Sequence, residues 1–282
     1  MTRLRPNRAM RFDDPDDRRR LLHGLIEAAL VAGAAINGIF EAGFEVEEKA
    51  DFSPVTAADR AAETVILKAL ARLAPGVPVV AEEEVSEGRI PAVSDRFFLV
   101  DALDGTREFV RRGSDFTVNI GLVEHGTPTM GVIFAPRLDR LYVGDVTGSV
   151  AWRREGSHGP QIQLGITRGR RPPVAVASKS HLTPGVQGYL DAIGAGDRVN
   201  IGSSLKFGLL AAGEADVYPR PSPTMEWDTC AGHAILLAAG GSVQGPDGKP
   251  LAYAKPDFFN PGFLALGDFD APPLQPYMPA SP

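Results

Sequence analysis

The stretch Val100-Asp101-Ala102-Leu103-Asp104-Gly105-Thr106 ends an apolar run on two carboxylates and continues into Gly and Thr. The apolar residues before it predict a buried strand over residues 96–100. Buried carboxylates repel each other and lose hydration, so a pair at the end of a strand usually needs a cation. Mg²⁺ suits such a place, because it takes oxygen ligands from one or two carboxylates and from phosphates. The same residues are also typical of an Asp-Gly turn followed by a helix cap, so this stretch alone does not decide between a metal site and an ordinary turn.

Three other acidic residues stand where a predicted strand ends or a predicted helix begins. Glu82 follows an apolar strand, Asp59 lies in the first turn of one helix, and Asp228 directly precedes another. Taken singly, they are typical of a surface acidic run, a first-turn acid and an N-cap. Ligands of open α/β sheets bind at the carboxyl ends of strands. The repeated placement of acids at element ends therefore favours one shared site.

Helices and strands alternate along the chain, which is long enough to bury a sizeable core. The predicted helices cover residues 21–41, 56–73, 185–193, 204–212 and 229–239. The predicted strands cover residues 78–81, 96–100, 116–123, 129–134, 141–143, 149–152, 174–178 and 215–218. A Gly-, Arg- and Pro-rich segment, residues 153–173, predicts a division into two domains. The predicted parts are a disordered tail (1–20), an N-terminal α+β domain (21–155), a C-terminal α/β domain (156–267) and a Pro-rich disordered tail (268–282).

Composition excludes several classes of protein. The formal net charge is −6, so nothing in the overall charge favours a nucleic acid polymer as partner. The single cysteine, Cys230, rules out an intrachain disulfide. Neither a signal peptide nor a transmembrane segment is predicted, which indicates a cytoplasmic protein. Peripheral attachment to the inner membrane face stays open, as does the choice between monomer and homodimer.

Three motifs occur together over residues 21–263. They are Glu82-Glu83, Asp101-Ala102-Leu103-Asp104-Gly105-Thr106 and Trp227-Asp228-Thr229-Cys230-Ala231-Gly232. In order and spacing they resemble the signature of the inositol-monophosphatase superfamily of Mg²⁺-dependent phosphatases. The resemblance implies an α/β (α+β) fold, a layered α-β-α-β-α sandwich of the sugar-phosphatase type. Ala102 departs from the pattern, since the superfamily usually has Pro there.

Segments 53–59, 105–109 and 201–207 narrow the resemblance to the 3′(2′),5′-bisphosphate nucleotidases of the CysQ type. Glu108 belongs to this pattern, because the inositol phosphatases usually have Asn at that place. The resemblance implies hydrolysis of the 3′-phosphate of adenosine 3′,5′-bisphosphate (PAP) to give AMP. The sulfated form (PAPS), which would give adenylyl sulfate (APS), is a further candidate substrate. Inhibition by lithium is also expected from the resemblance.

The resemblance also assigns roles to the acidic residues, with two or three Mg²⁺ ions in each active site. Glu82, Asp101 and the carbonyl of Leu103 would hold one ion. Asp101, Asp104 and Asp228 would hold a second, so that two metals clamp the attacking and leaving oxygens. Thr106, oriented by Asp59 and aided by Glu82, would position and deprotonate a metal-bound water.

A phosphorylated small-molecule nucleotide needs anion-binding groups beyond the metals. The amides of Gly105 and Thr106 would hold the phosphoryl group, with Asp228 beside it. By resemblance the 5′-phosphate and nucleoside would face four residues of the second half: His181, Ser203, Lys206 and Arg220. The alternative for Lys206 is a solvated helix charge, and for His181 an ordinary loop residue.

Other functions remain to be separated from this one. An inositol monophosphatase or a fructose-1,6-bisphosphatase would share the fold and the metal centre. A serine hydrolase is suggested by Ser203-Ser204-Leu205-Lys206, which fits Ser-x-x-Lys, but the chain has no Lys-Thr-Gly or Ser-Asp-Asn partner. A catalytically silent anion-binding protein is disfavoured, because unused buried carboxylates are costly.

Overall fold

The computed structural model describes residues 10–49, 54–177 and 183–279. Its helices are α1 (Pro15–Ala42), α2 (Ala57–Leu73), α3 (Glu82–Ser86), α4 (Thr106–Val110), α5 (Pro184–Ala192), α6 (Leu205–Ala211) and α7 (Glu226–Ala238). Its strands in the first half are β1 (Val46–Glu48), β2 (Pro54–Thr56), β3 (Val79–Ala81), β4 (Arg96–Asp104), β5 (Thr117–Glu124), β6 (Thr127–Ala135), β7 (Arg140–Asp145), β8 (Val150–Glu155) and β9 (Ile162–Gln163). Those in the second half are β10 (Ala175–Ala177), β11 (Arg198–Asn200), β12 (Val217–Arg220), β13 (Thr224–Met225), β14 (Ser242–Gln244), β15 (Phe259–Asn260) and β16 (Phe263–Leu266).

Two mixed sheets form the framework. The first has seven strands in the order β3-β4-β5-β6-β7-β8-β9, and the second has five in the order β11-β10-β12-β16-β14. Only β3 and β4 run parallel in the first sheet, whereas β10 pairs in parallel with both β11 and β12 in the second. Each half of the chain therefore contributes one sheet.

Three apolar clusters define five layers. The first cluster lies between α1, α2 and one face of the seven-stranded sheet, and includes Leu25 and Phe98. The second fills the space between the two sheets, where α6 and α7 lie, and includes Phe207 and Ile235. The third joins α5 to the outer face of the five-stranded sheet, around Tyr189. The predicted α-β-α-β-α sandwich is confirmed.

Helix α7 lies directly on the seven-stranded sheet because three glycines face it. Gly121, Gly131 and Gly144 stand side by side on β5, β6 and β7. A Cβ added at Gly131 would lie 2.2 Å from the carbonyl oxygen of Ala231, and one at Gly144 would lie 2.6 Å from the Cα of Ile235. These distances leave no room for a side chain, so the glycine row lets the backbone of α7 contact the sheet.

The predicted N-terminal tail of residues 1–20 is wrong over residues 15–20, since α1 begins at Pro15. Asp14 caps the helix, its side chain accepting hydrogen bonds from the amides of Asp16 and Asp17. Arg18 is buried, and its guanidinium pairs with Glu124 and Asp145, at 2.7 Å each. These buried ion pairs let Arg18, although charged, lie on the buried face of the helix.

The C-terminal boundary also needs correction over the described residues. Leu274 is fully buried, and the hydroxyl of Tyr189 donates to the carbonyl of Pro272 at 2.9 Å. The Tyr277 ring packs edge-on against Tyr189. Residues 268–279 are therefore packed on α5 rather than disordered, because a few apolar side chains among the prolines anchor them.

The predicted division at 155/156 lies inside the first sheet, because β9 pairs with β8 through Gln163 and Trp152. Both residues of β9 are exposed. Ile162, Leu164 and Ile166 alternate as in a strand, but the Gly-, Arg- and Pro-rich composition around them favoured a linker. Strand β4 is longer than predicted and runs through Asp104, and α7 begins at Glu226 rather than at Thr229.

Among the described residues, α1 is long and apolar enough to cross a membrane by length and composition alone. A core helix of a globular protein passes the same test, and the apolar face of α1 belongs to the first core cluster.

Candidate active site

A β-bulge brings the two aspartates of the deciding stretch to the same side of β4. Asp101 pairs with Asn119 and Asp104 with Thr117, so three steps on β4 match two on β5. In a regular strand, residues three apart point to opposite faces. The extra residue in β4 removes that opposition, as bulges near functional sites often do. Gly105 then turns the chain into α4 with a left-handed φ of 95°.

The four predicted metal-ligand carboxylates interact electrostatically. Burial raises the pKa of Asp101 well above its usual range, and the charges of Glu82, Asp104 and Asp228 add to the rise. Burial, followed by the charges of Asp104 and Glu82, raises the pKa of Asp228 to about 8. Mutual repulsion of this kind requires close approach, and it indicates a place where a cation would be stabilised.

Lys49 supplies one positive charge at this cluster. Its ammonium donates to Oε1 of Glu82 at 2.8 Å and to Oε1 of Glu83 at 2.6 Å. Burial raises the pKa of Glu82, whereas the charge of Lys49 opposes that rise. In the structure described, Glu82 is therefore held by Lys49.

Thr106 and Asp59 are in direct contact. The Thr106 hydroxyl lies 3.0 Å from Oδ1 of Asp59 and 3.2 Å from the Leu103 carbonyl oxygen. The other oxygen of Asp59 accepts hydrogen bonds from the amide and the hydroxyl of Thr56. Burial, only partly offset by these hydrogen bonds, raises the pKa of Asp59, with the Glu82 charge adding to the rise.

Asp104 is held by the second half of the chain. Its Oδ2 accepts from the Ser203 hydroxyl at 2.6 Å, and from the amide and hydroxyl of Ser204 at 2.7 and 2.8 Å. Asn119 contributes a longer contact of 3.4 Å to the same oxygen. Ser203 has a left-handed φ of 55°, which aims the loop at Asp104. With Oδ2 saturated by donors, Oδ1 is the oxygen that remains for a cation.

A cavity of about 140 Å³ opens beside this cluster. Asp104 and Asp228 line it together with the cations Lys206 and Arg220. The Lys206 ammonium donates to the Ser203 carbonyl at 2.8 Å and lies over the Tyr218 ring. The buried Nε of Arg220 has no hydrogen-bond partner among the described residues. Two cations without a carboxylate hydrogen-bond partner in the described structure make the cavity suitable for an anion.

The remaining sequence predictions have mixed outcomes. Gly105 and Ser203 also line the cavity, whereas His181 lies outside the described residues. In a Ser-x-x-Lys hydrolase the lysine would serve a serine hydroxyl. Here Lys206 bonds the carbonyl of Ser203, and the Ser203 hydroxyl goes to Asp104. This geometry does not favour the serine-hydrolase hypothesis.

Over the described residues, no group of three or more His, Cys, Asp and Glu side chains forms a ready ligand set for a metal ion. Glu82 is directed to Lys49, and Asp104 to the serines. The chemistry of the donors nevertheless fits a hard divalent cation, since the cluster consists of carboxylates with the Leu103 carbonyl beside them. Their raised pKa values give the physical reason why a cation would bind there.

Two contributors to the site were missed from the sequence. Asn119 alternates with Thr117 within the apolar run of β5, and this pair of polar residues in a buried strand was the available signal. The Asn119 side-chain amide donates to the Ser204 hydroxyl at 2.8 Å. Lys49 lies in an ordinary charged stretch and gives no such signal.

Comparison with known proteins identifies the family of the chain. Residues 17–264 match the inositol monophosphatase family, and the chain belongs to that family of phosphatases. It is 44% identical over 246 residues to the 3′(2′),5′-bisphosphate nucleotidase CysQ of Escherichia coli (strain K12), a match that covers 86% of this chain and 98% of the relative.

Two solved structures extend the comparison. CysQ from Bacteroides thetaiotaomicron is similar with a TM-score of 0.74 and 38% identity, covering 88% of this chain and 97% of that one. Inositol monophosphatase from Anabaena (Nostoc) sp. PCC 7120 is similar with a TM-score of 0.71 and 27% identity, covering 92% and 99%. The resemblance inferred from the three motifs is confirmed.

Proposed function

We propose that the chain is a Mg²⁺-dependent 3′(2′),5′-bisphosphate nucleotidase that hydrolyses the 3′-phosphate of PAP to give AMP, with PAPS as a second substrate. The observation that carries the proposal is one cavity lined both by the carboxylates Asp104 and Asp228 and by the cations Lys206 and Arg220. A bisphosphate presents two anions: the carboxylates would meet one through the metal, and the two cations would meet the other. Identity to CysQ enzymes over nearly the whole chain supports the same substrate class.

Glu82, Asp101, Asp104, Asp228 and the Leu103 carbonyl would hold the metal. When bound, Mg²⁺ supplies Lewis-acid stabilisation of the charge on the phosphoryl group and its leaving oxygen. The Thr106 hydroxyl would accept a proton from the attacking water while passing its own proton to Asp59, which it contacts at 3.0 Å. The amides of Gly105 and Thr106 would hold the phosphoryl oxygens. Lys206 and Arg220 would hold the second phosphate and so fix the orientation of the nucleotide.

A panel of phosphate esters tests this function directly. Phosphate release is measured with PAP, PAPS, inositol 1-phosphate and fructose 1,6-bisphosphate, each with Mg²⁺ and with EDTA. We expect kcat/KM to be highest for PAP and hydrolysis to be lost in EDTA. A preference for inositol phosphate or the sugar bisphosphate would assign the chain to those activities instead, and full hydrolysis in EDTA would exclude the metal-dependent mechanism.

The variant Asp104→Asn tests the role of one predicted metal ligand in the same assay. The change keeps the size of the side chain but removes a negative charge from the metal cluster, so we expect loss of more than about 100-fold in kcat. Asp95→Asn is the control, because the Asp95 side chain is 89% exposed. Activity of Asp104→Asn equal to that of the control would contradict the proposed role.

A further inference from the structure

Helix α3 begins with the predicted metal ligand Glu82 and needs an acceptor for its first amides. The first N–H groups of any helix have no partner inside that helix. The residue at the N-cap position of α3 is Ala81, which has no side-chain oxygen, and no side-chain cap is formed. The helix has only five residues, so its own hydrogen bonds stabilise it weakly. An outside group must therefore hold this end.

Glu63 of α2 is that group. Its Oε2 accepts from the amide of Glu83 at 2.9 Å, and its Oε1 accepts from the amide of Glu84 at 3.1 Å. The residue is only 4% exposed. Burial, followed by the nearby charge of Glu83, raises the pKa of Glu63 to about 7. No ion pair of the described structure includes Glu63, so the two amides are the contacts that stabilise its carboxylate.

The position of Glu63 on α2 links it to the rest of the site. Asp59 and Glu63 are four residues apart and lie on one face of the helix. Asp59 contacts Thr106 at 3.0 Å, while Glu63 contacts the start of α3. One rigid helix thus holds two parts of the site that lie on different segments of the chain.

The direction of the Glu82 side chain depends on how α3 is oriented. Strand β3 ends at Ala81, and α3 starts at the next residue, so a small rotation there would move Glu82 relative to Asp101. Lys49 holds the side chains of Glu82 and Glu83, whereas Glu63 holds the backbone of the next two residues, Glu83 and Glu84.

We propose that Glu63 is a positioning residue of the metal site, whose carboxylate fixes the start of α3 so that Glu82 faces Asp101. The inference rests on the proposed function, since it takes Glu82 as a metal ligand. Partners that orient metal ligands typically change metal affinity about 10- to 100-fold when they are removed.

Mg²⁺ titration calorimetry of the full chain without nucleotide tests this role. For Glu63→Ala we expect Mg²⁺ affinity about 10- to 100-fold weaker than in the unchanged protein. Glu63→Gln should lie between them, because its single carbonyl oxygen can accept from one of the two amides. In steady-state assays the same variants should need more Mg²⁺ for half-maximal rate, with kcat largely recovered at saturating Mg²⁺.

Thr64→Ala is the matched control on the same helix. Thr64 is exposed and its hydroxyl donates to the Arg60 carbonyl at 2.8 Å, away from α3, so Mg²⁺ affinity should stay unchanged. Near-ultraviolet circular dichroism identifies the folded variants. If Glu63→Ala does not fold, the conservative Glu63→Gln gives the result.

The outcomes separate the two proposals. If the unchanged protein binds no Mg²⁺, the metal assignment in the proposed function fails. If it binds Mg²⁺ and folded Glu63 variants bind it with the same affinity, the role of Glu63 is overturned. Weaker binding by the Glu63 variants with unchanged binding by Thr64→Ala supports it.

Discussion

Asp104 is a residue at which the two halves of the molecule are in direct contact. It belongs to β4 of the first sheet, yet three of the donors to its Oδ2 come from Ser203 and Ser204 in the second half. The sequence placed Asp104 in the site through its motif, because strand-end carboxylates have a recognisable pattern. Its serine partners could not be inferred in that way, since they depend on a contact about 100 residues away along the chain.

A second single residue, His233, makes the free energy of unfolding depend on pH. Its Nδ1 lies 3.1 Å from the Tyr253 hydroxyl inside the core. Burial, and secondarily the charge of Lys255, lowers the pKa of His233 to about 3. The unfolded chain therefore takes up a proton below pH 6.5 that the folded protein does not. This contribution to stability is fully present above pH 6.5 and is lost as the pH falls toward 3.

Urea unfolding at pH 7 and pH 5 measures this contribution of His233 to the free energy of unfolding. Between these two values the free energy of unfolding should fall by about 2 kcal/mol more in the unchanged protein than in His233→Gln, which has no imidazole to protonate. Subtracting the two proteins removes the other titrating groups from the comparison. Equal losses in both would show that His233 does not titrate in this way.

At the scale of the element, the N-terminal turn of α1 depends on one buried arginine. Arg18 bridges Glu124 on β5 and Asp145 on β7, while Arg96 also contacts Glu124 at 2.9 Å. These bonds attach the buried face of α1 to the ends of β5 and β7 in the seven-stranded sheet. Removing the guanidinium would leave buried carboxylates without their main partner.

Arg18→Ala should lower the free energy of unfolding by about 3–5 kcal/mol. Its neighbour Arg19 is the matched control, because it pairs with Asp16 on the surface, where such pairs contribute about 0–1 kcal/mol. Urea denaturation of both variants makes the comparison. A loss for Arg18→Ala no larger than that for Arg19→Ala would contradict the anchoring role.

The elements differ in how far their sequence predicted them. Helices α1 and α2 and the strands β4 to β8 have long apolar patterns, and all of them were predicted with small errors at the ends. The start of α1 was missed because charged residues around Arg18 read as a tail, although Asp14 and Pro15 formed a capping signal. Strands of two residues such as β13, and the five-residue helices α3 and α4, are too short for periodicity to show.

At the scale of the whole molecule, the proposed mechanism needs both halves of the chain to be held in a fixed relation. Helix α7 carries Asp228 near its N-terminus and packs on the seven-stranded sheet through the glycine row. The class of fold could be predicted, because the motifs resemble a family with known layers. The row itself could not, because the pairing of Gly121, Gly131 and Gly144 across three strands appears only in the sheet register.

Gly131→Ala tests that packing. Its new Cβ would meet the Ala231 carbonyl at 2.2 Å, which is backbone and cannot turn away. We expect a loss of about 1–3 kcal/mol in the free energy of unfolding, together with reduced phosphatase activity as Asp228 shifts. Gly38→Ala is the opposite case, since nothing lies within 4 Å of its added Cβ in α1, and it should stabilise the protein by about 0.5–1 kcal/mol. Equal stability of the two variants would refute the argument.

The direct contact between α7 and the sheet has a consequence for how the sequence of such a protein can vary. Elsewhere in the core, the distance between two layers depends on the volume of the side chains between them. It therefore changes when those side chains are substituted. Beneath α7, main chain meets main chain, and no exchange of side chains can bring the layers nearer. The distance from Asp228 to Asp101 and Asp104 on β4 therefore does not depend on which side chains fill the surrounding core. Core residues around this helix could change widely in sequence while the distance between Asp228 and the aspartates of β4 stays constant.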